Sequence, residues 1–428
     1  MIDRVIWTWI LLGVWAAGGI PAAPADKSVA PRIQIALEKV RADFDGRLEV
    51  RNGYDSTNLA ACRFEVQLVE FPGPDDPEGR RKAFFRRAVG GPDVPAQDKG
   101  WLDLELPGNW KDADALVLVA FDPQGEELWT WSWFVHDKDH YAEKYVTTEA
   151  EEAPGVEVVG APNEIHLRAG PLVLRFVGNS GELVGVTLDE RPIAFAAGPK
   201  LIGGATAPSK VSFSQTGEAV SLNVTYTGEM DYVRWQLCPT GWVRLECQYE
   251  LEGALQVFGI GFEYPQDRVR GVRWLGRGPD RVWKDRMKGE VLDIHSNTSE
   301  DRTPGLKRGV PEFKGYYRDW NWAILETDQG AITIVNATED LFLALYRPED
   351  SPDPRNMKPN APDTGIAFLH GIPAIGSRFL NPEAPGPERE KNVAAGRYRT
   401  TVWFHFGGVE GPSRPANVRQ RTARNGQM

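Results

Sequence analysis

Cysteine is nearly absent from this chain: Cys62, Cys238 and Cys247 are the three in 428 residues. So few exclude a disulfide framework, and the fold must be held by packing. Cys238 and Cys247 flank an expected hairpin turn at Pro239-Thr240-Gly241. At ~3.3 Å per strand residue Cys247 lies too far along the return strand to bridge, so free thiols are expected. Positive charge is also short: 49 Lys and Arg against 60 Asp and Glu give a formal net charge of −11. That argues against nucleic acid as a partner, since phosphate binding needs a basic face. Histidine is scarce too. His136 and His140 bracket Asp137 and Asp139, but no third ligand is near in sequence, so neither a metal nor another cofactor is expected. Missing as well is any run of strands alternating with helices of about ten residues, the pattern a (β/α)8 barrel would write.

What is plentiful is glycine (44), proline (32) and tryptophan (15), which suits many short strands and aromatic surfaces. The length leaves room for two domains. Residues 1–25 read as a secretory signal. Arg4 begins it, Val5 to Ala17 is apolar, and Ala23-Pro24-Ala25 offers small residues for cleavage before Asp26. The apolar run is short for a membrane span of ~20 residues; an uncleaved anchor is the alternative to a cleaved signal, and no membrane association beyond this segment is expected. The address is then secreted or periplasmic.

Residues 32–135 read as an immunoglobulin-like β-sandwich. Arg47 to Val50 and Arg63 to Leu68 alternate with period two, and Leu102 to Leu106, Leu116 to Phe121 and Leu128 to Val135 supply further strands. Asp122-Pro123-Gln124-Gly125 is a hairpin turn. Residues 136–162 are polar and acidic and read as a linker. Over 163–408 the pattern is β throughout. Leu172 to Phe176 and Leu183 to Leu188 flank an Asn179-Ser180-Gly181 turn, and Tyr232 to Leu237 is expected to pair with Trp242 to Tyr249. Ala331 to Val335, Leu341 to Tyr346 and Tyr398 to Phe406 continue the series. So many strands predict a large antiparallel two-sheet supersandwich. Residues 409–428 read as a disordered tail.

One stretch carries the chemistry, Gly271 to Trp322. Val272 to Leu275 reads as a short strand broken by a turn at Gly276-Arg277-Gly278-Pro279. Trp283, Lys284, Arg286 and Lys288 follow, interleaved with acids, and then two aromatic clusters. Flat rings among guanidinium and carboxylate groups suit polyols: rings cover sugar C–H faces and charged groups bond hydroxyls. Packing of the same rings onto a β-core is the competing reading.

Trp274-Leu275-Gly276-Arg277-Gly278-Pro279, with Val282-Trp283-Lys284, Arg286 and Gly289 behind it, resembles the opening of the last domain of family 2 β-galactosidases. Pro311 to Tyr316 and Phe368 to Ile372 are similar to later segments of that domain. Arg51-Asn52-Gly53-Tyr54-Asp55-Ser56-Thr57-Asn58-Leu59 resembles a signature of the family's immunoglobulin-like domain, with Ser56 in place of an aromatic. Ala25 to Ser28, with Pro31 and Glu38 to Val40, resembles the family's exit from its catalytic barrel. That competes with the signal reading and would keep the chain cytoplasmic.

The resemblance implies a galactose-mutarotase-like supersandwich and an accessory role. The chain would be a β-galactosidase small-chain-like protein that binds carbohydrate and completes a separate barrel-bearing chain. The two catalytic glutamates of the family stand on that barrel, so no catalytic residue is expected here. The expected carbohydrate-binding residues are Arg277, Trp283, Arg286, Lys314, Tyr316, Trp320, Trp322, His370 and Phe379. A free-standing secreted carbohydrate-binding protein is the alternative. An aldose-epimerase-like enzyme, with His370 and Glu312 as acid and base, is a third.

Overall fold

The computed structural model describes residues 32–76, 79–149, 155–161, 163–278, 291–299, 315–346, 364–373 and 392–408. The expectations for 1–25 and 409–428 lie outside them. Among the described residues no helix is long and apolar enough to cross a membrane.

The fold is all-β. The N-terminal unit is a sandwich. One sheet holds β1 (Ile33–Ile35), β2 (Arg47–Asn52) and β5 (Lys99–Asp103). The other runs in spatial order β4 (Lys82–Gly90), β3 (Arg63–Glu70), β6 (Ala115–Phe121), β7 (Glu127–Phe134). Val50, Phe64, Val66, Leu68, Leu102, Leu116 and Leu118 close its core. The Asn52–Leu59 signature is a packing device. Asn52 is buried and its Nδ2 donates to Thr57 O (2.8 Å) and Val94 O (3.0 Å), while its Oδ1 takes the Tyr54 amide.

The expected linker contains a helix, α1 (Lys138–Tyr145), capped by Asp137, whose side chain accepts from the His140 amide at 3.0 Å. Tyr141, fully buried, lies one turn from Tyr145 and donates to the Asp114 carbonyl, and Lys144 reaches the Asp114 carboxylate at 2.6 Å. The segment reads as polar because only a few side chains do the packing.

The larger unit has two curved antiparallel layers. In one, the order is β14 (Thr206–Thr216), β15 (Ala219–Gly228), β16 (Met230–Leu237), β17 (Val243–Leu255), β25 (Asn392–Phe406), β22 (Gly330–Asn336), β21 (Tyr316–Thr327), β19 (Val269–Gly278), β20 (Val291–Thr298). The other begins with β8 (Glu157–Ala161), β9 (Glu164–Ala169), β10 (Leu172–Val177) and β11 (Leu183–Leu188). It continues through β12 (Arg191–Ile193) and β13 (Ala196–Ile202) to β18 (Phe258–Glu263), β24 (Ile366–Gly371) and β23 (Phe342–Leu345). β23 pairs with Tyr316 and Tyr317 at the start of β21, so that strand serves both layers. Between the layers Phe195, Trp235, Phe262, Phe368 and Phe404 form an aromatic spine, with Phe195 and Phe262 stacked at 4.7 Å. This is the supersandwich expected from the strand series. Cys62, Cys238 and Cys247 are free and buried.

The two units share a third core. Val69, Phe71, Ala115 and Val117 of the sandwich and Ala142 of α1 meet Leu275, Leu292, Trp322 and Val335 on the outer face of the first layer.

Candidate binding site at the domain junction

The Trp274–Gly278 segment sets the geometry. The strand does not break at Gly276 as expected; β19 runs through Gly278, paired with β20. Glycine is needed because partners come close. A Cβ on Gly276 would stand 2.9 Å from Trp320 Cα, and one on Gly278 would stand 2.8 Å from the Trp274 ring. Trp274 packs into the inter-layer core at 4.7 Å from Tyr317, while Leu275 turns outward to the junction.

Across from it β21 carries a bulge. Leu275 pairs with Trp322 and Arg277 with Arg318, so two steps along β19 face four along β21. Asp319 sits in that excess with φ +48°, a left-handed conformation costly for a residue with a side chain. Bulges bend a strand and re-aim its side chains. Here Asp319 turns to Arg277, whose Nε donates to Asp319 Oδ2 at 2.5 Å and whose Nη2 donates to the Ser132 carbonyl of the sandwich at 2.7 Å. Asn321, also in the bulge and fully buried, accepts from Lys138 Nζ at 2.5 Å.

Arg277, Asp319 and Lys138 border a cavity of about 300 Å³ between the sandwich, α1 and the larger unit, with Asn321 behind Lys138. Trp133, Phe134 and His136 line it on the sandwich side; Arg277, Asp319 and Glu339 line it opposite, and Glu38, Lys39, Arg41, Asp137 and Lys138 complete it. Glu339 accepts from Lys39 Nζ and from the Lys138 backbone N–H, both at 3.0 Å. Burial works against the Asp319 carboxylate, but Arg277 and then Lys138 outweigh it and hold its pKa below the usual range. Lys138 is 5% exposed, and burial pulls its pKa down to about 8 against the attraction of Asp319 and Glu339. Its ammonium lies 4.3 Å from the Phe134 ring centroid. Both carboxylates of the inner wall are committed to cations or N–H donors. The arrangement suits binding better than proton transfer.

The structure brings one expected site residue, Arg277, to this cavity. Trp320 and Trp322 are fully buried and cannot stack on a sugar. Trp320 points between the layers and donates to the Leu341 carbonyl at 2.9 Å, and Trp322 fills the junction core. Tyr316 is buried in the inter-layer core. Strand alternation plus the bulge sends these rings to two different cores. His370 lies between the layers, its Nδ1 2.5 Å from the Tyr249 hydroxyl, and burial drives its pKa down to about 4. Trp283, Arg286, Lys314 and Phe379 lie outside the described residues, as does Glu312. Lys138, Asp319, Asn321 and Glu339 were not expected. The signal for Lys138 was the helix cap Asp137 with Tyr141 and Tyr145 a turn apart.

His136 and His140 stack at 3.8 Å rather than converging on a point, and no group of three metal-ligating side chains occurs among the described residues. A second charged cluster, on the outer face of β16, β17 and β25, is self-contained. Glu246 is 2% exposed, accepts from Tyr232 (2.6 Å) and Arg399 (2.7 Å), and is ion-paired to Arg244 (2.6 Å). Burial opposes its charge, but these donors hold its pKa at about 2.

Residues 200–351 match the family model described as beta galactosidase small chain. No curated protein matches the chain significantly. Among solved structures, galactose 1-epimerase from Lactobacillus acidophilus NCFM is 10% identical, with TM-score 0.35, over 59% of this chain and 98% of that one. The protein HI1317 is 8% identical, with TM-score 0.31, over 60% of this chain and 98% of its own.

Proposed function

We propose that this chain is a β-galactosidase small-chain-like accessory protein that binds carbohydrate and acts with a separate barrel-bearing chain. The observation that carries the reading is the match of 200–351 to the small-chain family, a span that contains the Trp274–Gly278 segment and its bulged partner strand. Retaining glycoside hydrolysis needs two carboxylates ~5 Å apart, one of them protonated. At the junction cavity Asp319 is ion-paired to Arg277 with its pKa held low, so it does not serve as the protonated acid. The proposed address is export, with the mature chain starting at Asp26.

The test uses the purified chain in two assays. Alone it should hydrolyse no chromogenic β-galactoside above background, yet retain β-galactoside oligosaccharides on a glycan array. Turnover that persists to homogeneity and co-elutes with the chain would sink the accessory role. Failure to bind any glycan would sink the carbohydrate role. N-terminal sequencing of exported protein checks the start at Asp26; finding Met1 on cytoplasmic protein would contradict it.

A further inference from the structure

We propose that the junction cavity takes a hexose-sized ligand bearing one carboxylate, a hexuronic acid unit, with the carboxylate seated on Lys138 Nζ. This rests on the carbohydrate-binding reading and narrows it.

The observation is an imbalance at one wall. On the inner wall two cations are matched, Arg277 with Asp319 at 2.5 Å and Lys39 with Glu339 at 3.0 Å. Lys138 is not. It is 5% exposed, and among the described residues no carboxylate stands within ion-pair distance of its Nζ. An ammonium has three N–H donors, and Asn321 Oδ1 takes one. The Phe134 ring offers only its π face. The Asn321 Nδ2 group, also buried, has no hydrogen-bond partner among the described residues. The bulge of β21 and the first turn of α1 thus bring donors together with too few acceptors.

A buried ammonium that feels Asp319 and Glu339 only from beyond ion-pair distance is costly, and a ligand carboxylate would supply a direct countercharge and acceptors. A neutral hexose offers hydroxyl oxygens but no charge. The volume, about 300 Å³, sits at the small end of ligand sites and suits one sugar ring. Trp133 adds an aromatic wall, and Arg277 and Asp319 can bond ring hydroxyls while remaining paired.

The experiment is calorimetric titration and thermal shift of the full chain with galacturonate, glucuronate, galactose and acetate. At least one uronate should bind and raise Tm, with galactose and acetate weaker by roughly tenfold or more. Lys138→Met should weaken uronate binding by about 30-fold or more, the loss expected when one member of a buried charge pair goes. The unliganded variant should melt at the same temperature or higher, because Met fills the stem's volume and removes an unpaired charge. Galactose binding as tightly as the uronates would overturn the proposal, as would uronate binding indifferent to Lys138→Met. Absence of uronate binding would overturn it too. A fall in the unliganded Tm of Lys138→Met would show instead that the amine is a structural partner of Asn321. If uronates fail while β-galactosides still bind, this inference falls and the accessory reading stands. If no glycan binds, both fall.

Discussion

Trp320 and Trp322 are two residues apart in one strand, where alternation would put them on the same face. They face opposite cores because the β21 bulge reverses the alternation between them. Trp322→Ala should therefore behave as a large-to-small core change, costing about 3–5 kcal/mol and lowering Tm with no specific effect on glycan binding. Thermal unfolding and array binding of the variant check this; an unchanged Tm would return the ring to the surface. His370 supports a second prediction. Its pKa falls from an unfolded value near 6.5 to about 4 in the fold. Between those pH values the unfolded chain binds the extra proton, so acidification from pH 6.5 towards 4 should cost stability, on the order of 2–3 kcal/mol. Above pH 6.5 this residue contributes no pH dependence. Denaturation curves of His370→Gln against the parent, at several pH values, should show a shallower acid limb; coincident limbs would refute the assignment.

At the scale of elements, α1 shows how a short helix becomes structural through a few contacts. Lys138, Tyr141 and Ala142 are buried, and the stretch after it is tied to the β16–β17 hairpin where Thr240 donates to the Thr147 carbonyl at 2.6 Å. Limited proteolysis should spare 138–145 and cut first between Thr147 and Val156. A first cut inside the helix would mean that it does not dock. Strands were legible wherever one face is dry. Arg63 to Leu68 and the Tyr232–Tyr249 hairpin alternate, Leu116 to Phe121 is a continuous apolar run, and the hairpin folds with the expected pairing. β4 was missed because Arg86 and Arg87 interrupt its apolar pattern at an edge, where solvent takes both faces. β19 was read as too short because a glycine pair looks like a turn, when its purpose is to admit Trp320 and Trp274. The cavity itself was the least legible part. Lys39, Lys138, Arg277, Asp319 and Glu339 come from five distant places, and only the bulge and α1's docking bring them together. No local spacing encodes that.

At the scale of the whole molecule the question is whether the sandwich and the larger unit unfold together. The junction core mixes Val69, Phe71, Ala115 and Val117 with Leu275, Leu292, Trp322 and Val335, all of them 1% exposed or less apart from Phe71 at 3%. Arg277 crosses from β19 to the Ser132 carbonyl, the Ser132 hydroxyl accepts from the Leu292 amide at 3.0 Å, and Lys39 reaches Glu339 from the sandwich side. Separating the units would expose a continuous apolar patch on each and strand these polar partners, a penalty far above a loosely tethered pair. Scanning calorimetry should thus give one transition for the intact chain. Val117→Asp buries an unpaired carboxylate in the shared core while leaving the sandwich's own core, built on Phe64, Val66, Leu68 and Leu118, untouched. That variant should resolve into two transitions, with the sandwich retaining its own melting. Two transitions in the parent chain, or a Val117→Asp trace that stays single and unshifted, would show that the junction does not couple the units. The cavity it encloses would then lose its claim to a fixed geometry.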